Sequence, residues 1–272
     1  MQSVKLILSD IDGTIMPRGR DHVSERTRRA FHTALDAGLA IGVASGRAVS
    51  QIPPFFSGDA ACCATCIATN GLAIYHVGER VAYGLPDRAA LERLIGLLAD
   101  VPRSGFTAFE DTQPYLCAGA REDMAGVVPA YAEAALPGDG LPTFEIQKAN
   151  VFINGDMAET VALCERLNDA FEELDFDVPM RGFLNIMPAG WNKGVAVRRL
   201  CEHLGISTDE VVVFGDAGND LAMFEVVGHP VAVAGATPEA AAAARWHIGR
   251  CEDDAVAQAI EALAAGDWPF EA

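Results

Sequence analysis

The chain has 272 residues, half of them hydrophobic, which is enough for one large domain or two smaller domains with a full core. Its net charge of −18 argues against nucleic acid or an anionic membrane as a partner, because both attract basic surfaces. No run of about 18 apolar residues is present, so we expect no membrane span.

The first part of the chain alternates apolar strands with helices. Three apolar runs predict strands at residues 4–8, 39–44 and 62–68. Between the first two strands, Ser24 is a suitable N-cap for a helix over 25–37, which Gly38 would end. A short helix that breaks at Pro53 and Pro54 is expected next. Residues 73–83 alternate about a turn and predict a hairpin.

The pattern becomes irregular between residues 85 and 187. Helices are predicted there at 87–100, 122–135 and 158–173. Strands are predicted at 106–109, 115–118, 144–153 and 184–187. Such a mixed order favours an α+β insertion. We therefore predict a core made of residues 1–84 and 188–272, with a separate domain at 85–187.

Regular alternation resumes after residue 191. Helices are predicted at 193–204, 221–227, 239–244 and 254–264. Strands are predicted at 211–214 and 230–233. Apolar strands that alternate with helices predict an α/β fold with a doubly wound, Rossmann-like parallel sheet.

Polar residues follow four of the predicted strands. They are Asp10, Ser45, Asn70 and Asp216. Because ligands bind beyond the carboxyl ends of the strands in such sheets, we expect these side chains to converge on one site. This convergence carries more weight than any single motif.

Asp10 and Asp12 stand two residues apart after the apolar run, and Gly13 and Thr14 follow. Residues at this spacing in an extended chain point the same way, and like charges so close raise each other's pKa unless a cation intervenes. The pattern indicates a magnesium-assisted phosphoryl-transfer site with an aspartate nucleophile. The same residues also suit an ordinary turn, although a bare carboxylate at the end of an apolar strand is unfavourable.

Two later segments carry groups that suit an anion. Ser45, Gly46 and Arg47 offer a hydroxyl, backbone N–H groups and a guanidinium, although they could equally form a plain turn. Lys193 begins a predicted helix, where it could pair with a carboxylate or remain a solvated lysine.

A second acidic cluster follows the most apolar predicted strand. Asp216 and Asp220 stand there, and carboxylates at such a position suggest that they bind a hard cation. Cys62, Cys63 and Cys66 lie in an apolar run and include a C-x-x-C pattern, but no second pair of metal ligands stands nearby. We expect buried structural cysteines there rather than a zinc site.

The order of these motifs resembles that of the haloacid dehalogenase-like hydrolase superfamily, and specifically the Cof-type phosphatases with a class IIB cap domain. The matching motifs are Asp10-Ile11-Asp12-Gly13-Thr14, Ser45-Gly46-Arg47, Asn70-Gly71, Asn192-Lys193-Gly194 and Gly215-Asp216-Ala217-Gly218-Asn219-Asp220. Ile11 replaces a more usual leucine and Ala217 a more usual glycine, but neither change removes a functional group.

The resemblance implies a role for each motif residue. Asp10 would attack phosphorus and form an aspartyl-phosphate, and Asp12 would protonate the leaving oxygen and then activate water. Mg²⁺ would be held by the motif acids Asp10, Asp12, Asp216 and Asp220. The phosphoryl group would be held by Thr14, Ser45, Gly46, Arg47, Lys193 and Asn219.

The function implied is a magnesium-dependent phosphomonoesterase that acts on a small phosphorylated metabolite, such as a sugar phosphate. A phosphomutase or other phosphotransferase of the same superfamily is the alternative, and a non-catalytic binding module is a third possibility. The inserted domain would be the cap, and four of its polar residues could select the substrate or simply lie on the surface. These are Lys148, Asn150, Arg181 and Asn185.

The start of the chain and its cysteines favour a cytoplasmic location. Residues 1–5 lack a secretory signal pattern, and the seven cysteines are odd in number and irregularly spaced. The sequence specifies neither the physiological substrate nor the oligomeric state.

Overall fold

The computed structural model describes residues 4–270, which form two compact units. The second unit is Gly84–Trp191, and the first unit comprises the described residues on either side of it. The strands are β1 (Leu6–Ser9), β2 (Ala40–Ala44), β3 (Cys66–Ala68), β4 (Ala73–His76), β5 (Glu79–Tyr83), β6 (Ser104–Glu110), β7 (Gln113–Ala118), β8 (Leu136–Pro137), β9 (Lys148–Ile153), β10 (Leu174–Met180), β11 (Phe183–Pro188), β12 (Val211–Gly215), β13 (His229–Ala234) and β14 (Trp246–Arg250).

Helices connect most of these strands. They are α1 (Glu25–Asp36), α2 (Ile52–Phe55), α3 (Ala60–Cys63), α4 (Arg88–Leu98), α5 (Arg121–Ala125), α6 (Pro129–Ala134), α7 (Met157–Ala170), α8 (Lys193–Leu204), α9 (Leu221–Phe224), α10 (Pro238–Ala243) and α11 (Ala255–Ala264). Between residues 4 and 270, no helix is long and apolar enough to cross a membrane.

The first unit contains an eight-stranded sheet in the order β14-β13-β12-β1-β2-β3-β4-β5. The six strands from β14 to β3 are parallel, and β4 and β5 extend the sheet as an antiparallel hairpin. The chain winds outwards in both directions from β1, with β2 on one side and β12 on the other. The carboxyl ends of β1 and β12 are therefore the switch point at which ligands bind in sheets of this type.

Burial on both faces explains why the central strands are continuously apolar. Leu6, Ile7 and Leu8 are fully buried, although neighbouring residues of a strand point to opposite faces. Ile7 packs in one cluster with Phe31 of α1 and Ile260 of α11. This packing covers one face of the sheet and fixes the strand ends that carry the acidic motifs.

The second unit contains a six-stranded sheet in the order β10-β11-β9-β6-β7-β8. Its neighbouring strands are antiparallel except for β7 and β8. Helices α4 and α7 cover one face of this sheet, where Leu94 and Leu167 pack with Val151. On the other face, Phe152 and Phe183 pack with residues of α5 and α6. The hydrophobic cluster on that second face has fewer buried members than the cluster on the first face.

The predicted fold class is confirmed, since the sheet of the first unit is doubly wound and mixed α/β. The helix and hairpin predictions near Ser24 and residues 73–83 are also confirmed. The Ser24 side chain accepts a hydrogen bond from the Thr27 N–H, and β4 and β5 form the hairpin. The second unit begins at Gly84, whereas the predicted insertion covers 85–187.

Several local predictions were wrong. The run predicted as a strand at 62–68 begins as helix α3, because the Asp59 carboxylate caps the Ala61 N–H and starts a helical turn. Pro53 and Pro54 do not break a helix but lie in the first turn of α2, where a missing N–H costs little.

In the second unit, one predicted helix and one predicted strand also differ from the structure. The helix expected at 122–135 is divided into α5 and α6, with Pro129 starting the second helix. Strand β9 begins only at Lys148, not at residue 144.

Strand β10 of the second unit and strand β14 of the first unit were not predicted, because exposed polar residues interrupt their apolar pattern.

Candidate active site

The acidic motifs meet at the carboxyl ends of β1 and β12. These strands are parallel neighbours, with Ser9 opposite Phe214, so the residues that follow them lie side by side. One carboxylate oxygen from each of Asp10, Asp216 and Asp220 lies within 4.8 Å of the others, and all three residues are buried. The structure thus brings three carboxylates together at the switch point of the sheet.

Lys193 is the cation buried among these carboxylates. Its Nζ donates hydrogen bonds to Asp10 Oδ1 and Asp220 Oδ1, each at 2.7 Å, and only 1% of the residue is exposed. Burial alone would lower the pKa of Lys193, but the two carboxylates raise it above its ordinary value. Lys193 is therefore a charged partner of the acidic cluster and not a solvated surface lysine.

The position of Lys193 is fixed by the start of α8. The Asn192 side chain caps this helix by accepting a hydrogen bond from the Val195 N–H at 2.9 Å. Gly71 has a φ of +108°, and a Cβ there would lie 2.4 Å from the Asn192 carbonyl oxygen. Only glycine permits this approach, so the Asn70-Gly71 motif lets the chain before Lys193 pack against the loop after β3.

The negative charge of the cluster exceeds what Lys193 can offset. Burial raises the pKa of Asp10 to about 7, with Lys193 opposing the shift and Asp220 and Asp216 adding to it. Burial also raises the pKa of Asp216, although hydrogen bonding from Arg18 opposes that change. Both shifts show that another positive charge would stabilise the ionised form of the cluster.

The cluster has the features expected of a Mg²⁺ site. All its donors are carboxylate oxygens, which are the ligands that hard divalent cations prefer. Gly13 keeps the space open, because a Cβ at this position would lie 2.5 Å from Asp216 Oδ2. Asp220 Oδ2 accepts hydrogen bonds from the N–H groups of Asp216 and Ala217, which fixes the acidic loop. The residues present therefore fit the ion.

Asp12 is placed differently from Asp10. Its side chain is 41% exposed and forms a bidentate ion pair with Arg47. Arg47 Nε donates to Asp12 Oδ2 at 2.9 Å, and Nη2 donates to Asp12 Oδ1 at 2.8 Å. The guanidinium also lies 5.2 Å from the centre of the Phe55 ring. Asp12 is thus accessible to solvent and held in a fixed direction beside the buried cluster.

Thr14 and Ser45, two of the predicted phosphate-binding residues, are buried near the strand ends. Thr14 Oγ1 donates to Asp216 Oδ1 at 3.3 Å. Ser45 Oγ accepts a hydrogen bond from the Arg47 N–H at 3.2 Å. The structure therefore brings Thr14 to a carboxylate of the cluster, and Ser45 to the turn that carries Arg47.

The other two loop residues of the predicted phosphate set lie beside Asn70. Gly46 lies so close to Asn70 that a Cβ at position 46 would be 3.0 Å from Asn70 Oδ1. Asn219 Nδ2 donates to the same oxygen at 3.5 Å. Asn70 thus links the loop after β2 to the acidic loop after β12, which places Gly46 and Asn219 on one side of the site.

Sequence reasoning missed Arg18. Its Nη2 donates to Asp216 Oδ2 at 3.2 Å, and its side chain is largely exposed. Arg18 stands in the loop that follows the first acidic motif, where only its charge near an acidic cluster could have drawn attention to it.

Three of the four cap candidates share one face of the second-unit sheet. Lys148 and Asn150 are two residues apart on β9, and Asn185 is opposite Asn150 on β11. Asn150 Nδ2 donates to Asn185 Oδ1 at 3.0 Å, and Asn185 Nδ2 donates to Asp177 Oδ1 at 2.7 Å. These side chains form a polar row across neighbouring strands.

The polar row has one unused acceptor and one cation. Asn150 is fully buried, yet its Oδ1 has no hydrogen-bond partner among the described residues. Lys148 Nζ lies 4.7 Å from the centre of the Phe109 ring and 3.3 Å from the Tyr131 hydroxyl. Arg181 stands apart from this row, because it lies in the turn after β10 and donates to the Gly155 carbonyl at 2.8 Å.

The comparisons with known proteins agree with the motifs. The model of the haloacid dehalogenase-like hydrolases matches residues 7–260. The 5-amino-6-(5-phospho-D-ribitylamino)uracil phosphatase of Escherichia coli is 25% identical over 274 residues, which cover 99% of each chain. The HMP-PP phosphatase of Yersinia pseudotuberculosis is 27% identical over 261 residues, which cover 93% of each chain.

The solved structures support the fold. A sugar phosphatase of haloacid dehalogenase subclass IIB superposes with a TM-score of 0.75 at 19% identity, over 95% of this chain and 98% of that one. Because the family model covers most of its length, the chain belongs to the haloacid dehalogenase-like hydrolases. The sequence-based recognition is confirmed, and so is the enzyme class, a phosphatase that hydrolyses phosphoric monoesters.

Proposed function

We propose that this chain is a magnesium-dependent phosphomonoesterase that hydrolyses a small phosphorylated metabolite through a phosphorylated Asp10. The observation that carries the proposal is the buried contact of Lys193 with Asp10 and Asp220, beside Asp216. Three carboxylates that gather around one buried ammonium suit a site that receives both a divalent cation and a phosphoryl group.

Asp10 and Asp216 would hold Mg²⁺ through carboxylate oxygens, and Asp12 would contribute its main-chain carbonyl. Asp220 would support the ion by fixing the acidic loop, where it accepts two backbone hydrogen bonds. When bound, the ion supplies positive charge that offsets the negative charge of the phosphoryl oxygens and of the carboxylates.

In the first step, an oxygen of Asp10 attacks phosphorus while the bond from phosphorus to the leaving oxygen breaks. Asp12 takes up a proton from solvent as Arg47 turns from it to the phosphoryl group, and gives that proton to the leaving oxygen. In the second step, Asp12 takes a proton from water, which attacks the phosphorus of the aspartyl-phosphate and releases phosphate. Lys193 holds Asp10 in place throughout, since it donates to one of its oxygens.

The exposed position of Asp12 suits this double use of its carboxyl group. A group that both gives and takes a proton must reach the leaving group and water, and Asp12 is open to solvent. Before substrate binds, the bidentate contact from Arg47 fixes the direction of the Asp12 carboxylate. We propose that Arg47 and Ser45, with Thr14, Gly46, Lys193 and Asn219, also line the place of the phosphoryl group.

The relatives support a small phosphorylated substrate. Their names describe phosphatases of a phosphorylated ribitylamino-uracil, of HMP-PP and of sugars. We propose that the second unit acts as the cap domain and selects the substrate through the polar row. Lys148 and Asn185 support this role, because they are partly exposed and offer a cation and an amide to a polar ligand, whereas the buried Asn150 donates to Asn185 and holds it in place.

Hydrolysis of p-nitrophenyl phosphate with Mg²⁺, and with a chelator, tests the proposal. We expect turnover with Mg²⁺ and none with the chelator, and weaker Mg²⁺ binding by Asp216→Asn. Calcium should inhibit, because its longer bonds and higher coordination would misplace the nucleophile. Full activity in chelator would contradict the metal dependence.

A screen of phosphorylated sugars, nucleotides and cofactors then separates the remaining alternatives. Free phosphate as the product supports a hydrolase, whereas an isomerised phosphate ester identifies a mutase or phosphotransferase. Metal binding without turnover of any substrate would identify a binding module. The cytoplasmic location stays a prediction.

A further inference from the structure

A second group of metal-binding side chains lies outside the candidate active site. His32 on α1, Asp59 before α3 and Cys62 within α3 each place one ligand atom within 4.8 Å of the others. His32 Nε2 and Asp59 Oδ2 are 2.7 Å apart. The three residues offer one nitrogen, one oxygen and one sulfur.

Local structure holds these three side chains together. Asp59 caps α3 through Oδ1, which accepts from the Ala61 N–H at 3.2 Å and leaves Oδ2 turned to His32. The Cys62 thiol lies against α1, where Sγ is 3.8 Å from the Arg28 carbonyl oxygen. His32 follows Arg28 by four residues and so lies on the same side of α1.

The group lies at the opposite end of the sheet from the acidic cluster. Helix α1 ends just before β2 begins, and α3 ends just before β3 begins. His32, Asp59 and Cys62 are therefore near the amino ends of these parallel strands, whereas Asp10 follows the carboxyl end of β1. A cation held there would not touch the reacting atoms.

We propose that His32, Asp59 and Cys62 bind Zn²⁺ or a similar borderline-soft divalent cation, with water as a fourth ligand. Histidine nitrogen, carboxylate oxygen and cysteine sulfur are the usual zinc ligands, and their bonds of about 2.0–2.3 Å place the ligand atoms about 3–4 Å apart. His32 Nε2 and Asp59 Oδ2 are 2.7 Å apart, and both lie within 4.8 Å of Cys62 Sγ, which is close to that arrangement.

Binding replaces the hydrogen bond between His32 and Asp59 and releases the proton of the Cys62 thiol. The hydrogen bond between His32 and Asp59 gives way to bonds from both residues to the cation. The Cys62 thiol loses its proton to solvent and forms a sulfur–metal bond. Burial raises the pKa of this thiol to about 12, so it keeps its proton until a cation arrives. The bound ion would fasten α1 to the segment before β3.

The spacing of His32, Asp59 and Cys62 along the sequence does not indicate a metal site. These ligands are spread over residues 32 to 62, and no short metal motif contains them. The sequence pattern favoured a purely structural Cys62. The fold places a histidine and a carboxylate beside that thiol, which the spacing of cysteines alone does not show.

Cobalt titration of the full-length protein tests the site. Co²⁺ takes the place of Zn²⁺, and a thiolate ligand gives it a charge-transfer absorption in the near ultraviolet that carboxylate ligands cannot give. Excess Mg²⁺ is added to occupy the acidic cluster. We expect one equivalent of Co²⁺ per chain to develop this absorption, and one equivalent of Zn²⁺ to abolish it.

Four variants separate the site from other thiols and histidines. Cys62→Ser should lose the absorption, and His32→Gln should weaken Co²⁺ binding by about 100-fold or more, beyond the range usual for loss of an outer partner. Cys63→Ser and His247→Gln are matched controls that should leave binding unchanged. With excess Mg²⁺ present to occupy the acidic cluster, Zn²⁺ should raise the Tm of the wild type and of the controls, but not of Cys62→Ser or His32→Gln.

Three results would overturn the proposal. One is the absence of the absorption in the wild type, and another is its persistence in Cys62→Ser. The third is unchanged Co²⁺ affinity in His32→Gln. His32 is largely on the surface, with 46% of its side chain exposed, so this variant still tests the site if Cys62→Ser fails to fold.

Discussion

The two units use their polar residues in opposite ways. In the first unit, Asp10 and Asp220 are buried carboxylates that share the ammonium of Lys193, and the neighbouring Asp216 pairs with Arg18. In the second unit, Asn150 and Asn185 are neutral amides on neighbouring strands, and the sheet itself satisfies most of their hydrogen bonds. The first unit thus gathers buried charges, whereas the second unit carries a row of neutral amides, which fits the two roles proposed above.

Replacing the nucleophile should have the largest effect and tests the first half of this comparison. Asp10→Asn keeps the shape of the side chain but removes the attacking oxygen. We expect turnover below about 1% of wild type, a rise in the barrier of about 3 kcal/mol or more. The measurement is steady-state hydrolysis of p-nitrophenyl phosphate. Asp36→Asn, an exposed position on α1, is the control and should keep full activity.

The effect of replacing Asp12 should depend on the leaving group. Asp12→Ala removes the proton donor, an effect of about 10²–10⁴-fold for general acid catalysis. The loss should be larger for an alkyl phosphate than for p-nitrophenyl phosphate, whose leaving group needs little help. Rates for both substrates decide the point, and equal losses would show that Asp12 is not the acid.

Replacing Lys148 tests the second half of the comparison. We expect Lys148→Met to lower kcat/KM about 10–100-fold for the physiological phosphate, the range for loss of a hydrogen bond to a charged group. The effect on p-nitrophenyl phosphate should stay within about threefold. Arg181→Met removes the same charge outside the polar row and serves as the control. Equal effects on the two substrates would remove Lys148 from substrate selection.

The smallest expected effect concerns stability without the metal. The folded protein holds a proton on Asp10 up to a pKa of about 7, against an ordinary value of 3.8. Because the folded state binds this proton more tightly, stability falls as the pH rises between these two values. The Asp10→Asn variant has no carboxyl group to ionise at this position, so it avoids that loss of stability.

Thermal unfolding of the metal-free protein measures this effect. We expect the Asp10→Asn variant to exceed the wild type in Tm by roughly 2–4 °C at pH 8, corresponding to about 1 kcal/mol, and by less at pH 5. Excess Mg²⁺ should reduce the difference at pH 8. A variant that unfolds below the wild type at pH 8 would show that Asp10 is not destabilised by burial.

The acidic motifs were predictable because they break a strong local rule. A carboxylate directly after a fully apolar strand is costly unless it has a function, and Asp10 and Asp216 both stand in that position. The parallel sheet then determines that such residues meet at one edge. Lys193 could be predicted from the family resemblance, while its contact with Asp220 needed the fold.

Contacts between distant segments were not predictable from the sequence. Arg18 reaches Asp216 and His32 reaches Asp59 only because loops and helices fold together. Strand β10 lacks a continuous apolar run, because only one face of it is covered, and its sequence resembles a loop. The pattern of apolar residues along the sequence indicates which segments are buried, whereas these contacts and strand β10 depend on tertiary packing.

Trapping the phosphorylated enzyme tests the central claim most directly. The Asp12→Ala variant should accumulate the intermediate with p-nitrophenyl phosphate, because this leaving group needs little acid help while the attack of water on the aspartyl-phosphate is slowed. Acid quenching and peptide mass spectrometry then locate the phosphoryl group. We predict one phosphoryl group on Asp10 in the Asp12→Ala variant. We predict none in the double variant that carries both Asp12→Ala and Asp10→Asn. A phosphoryl group on another residue, or product formation without any phosphorylated peptide, would contradict the account.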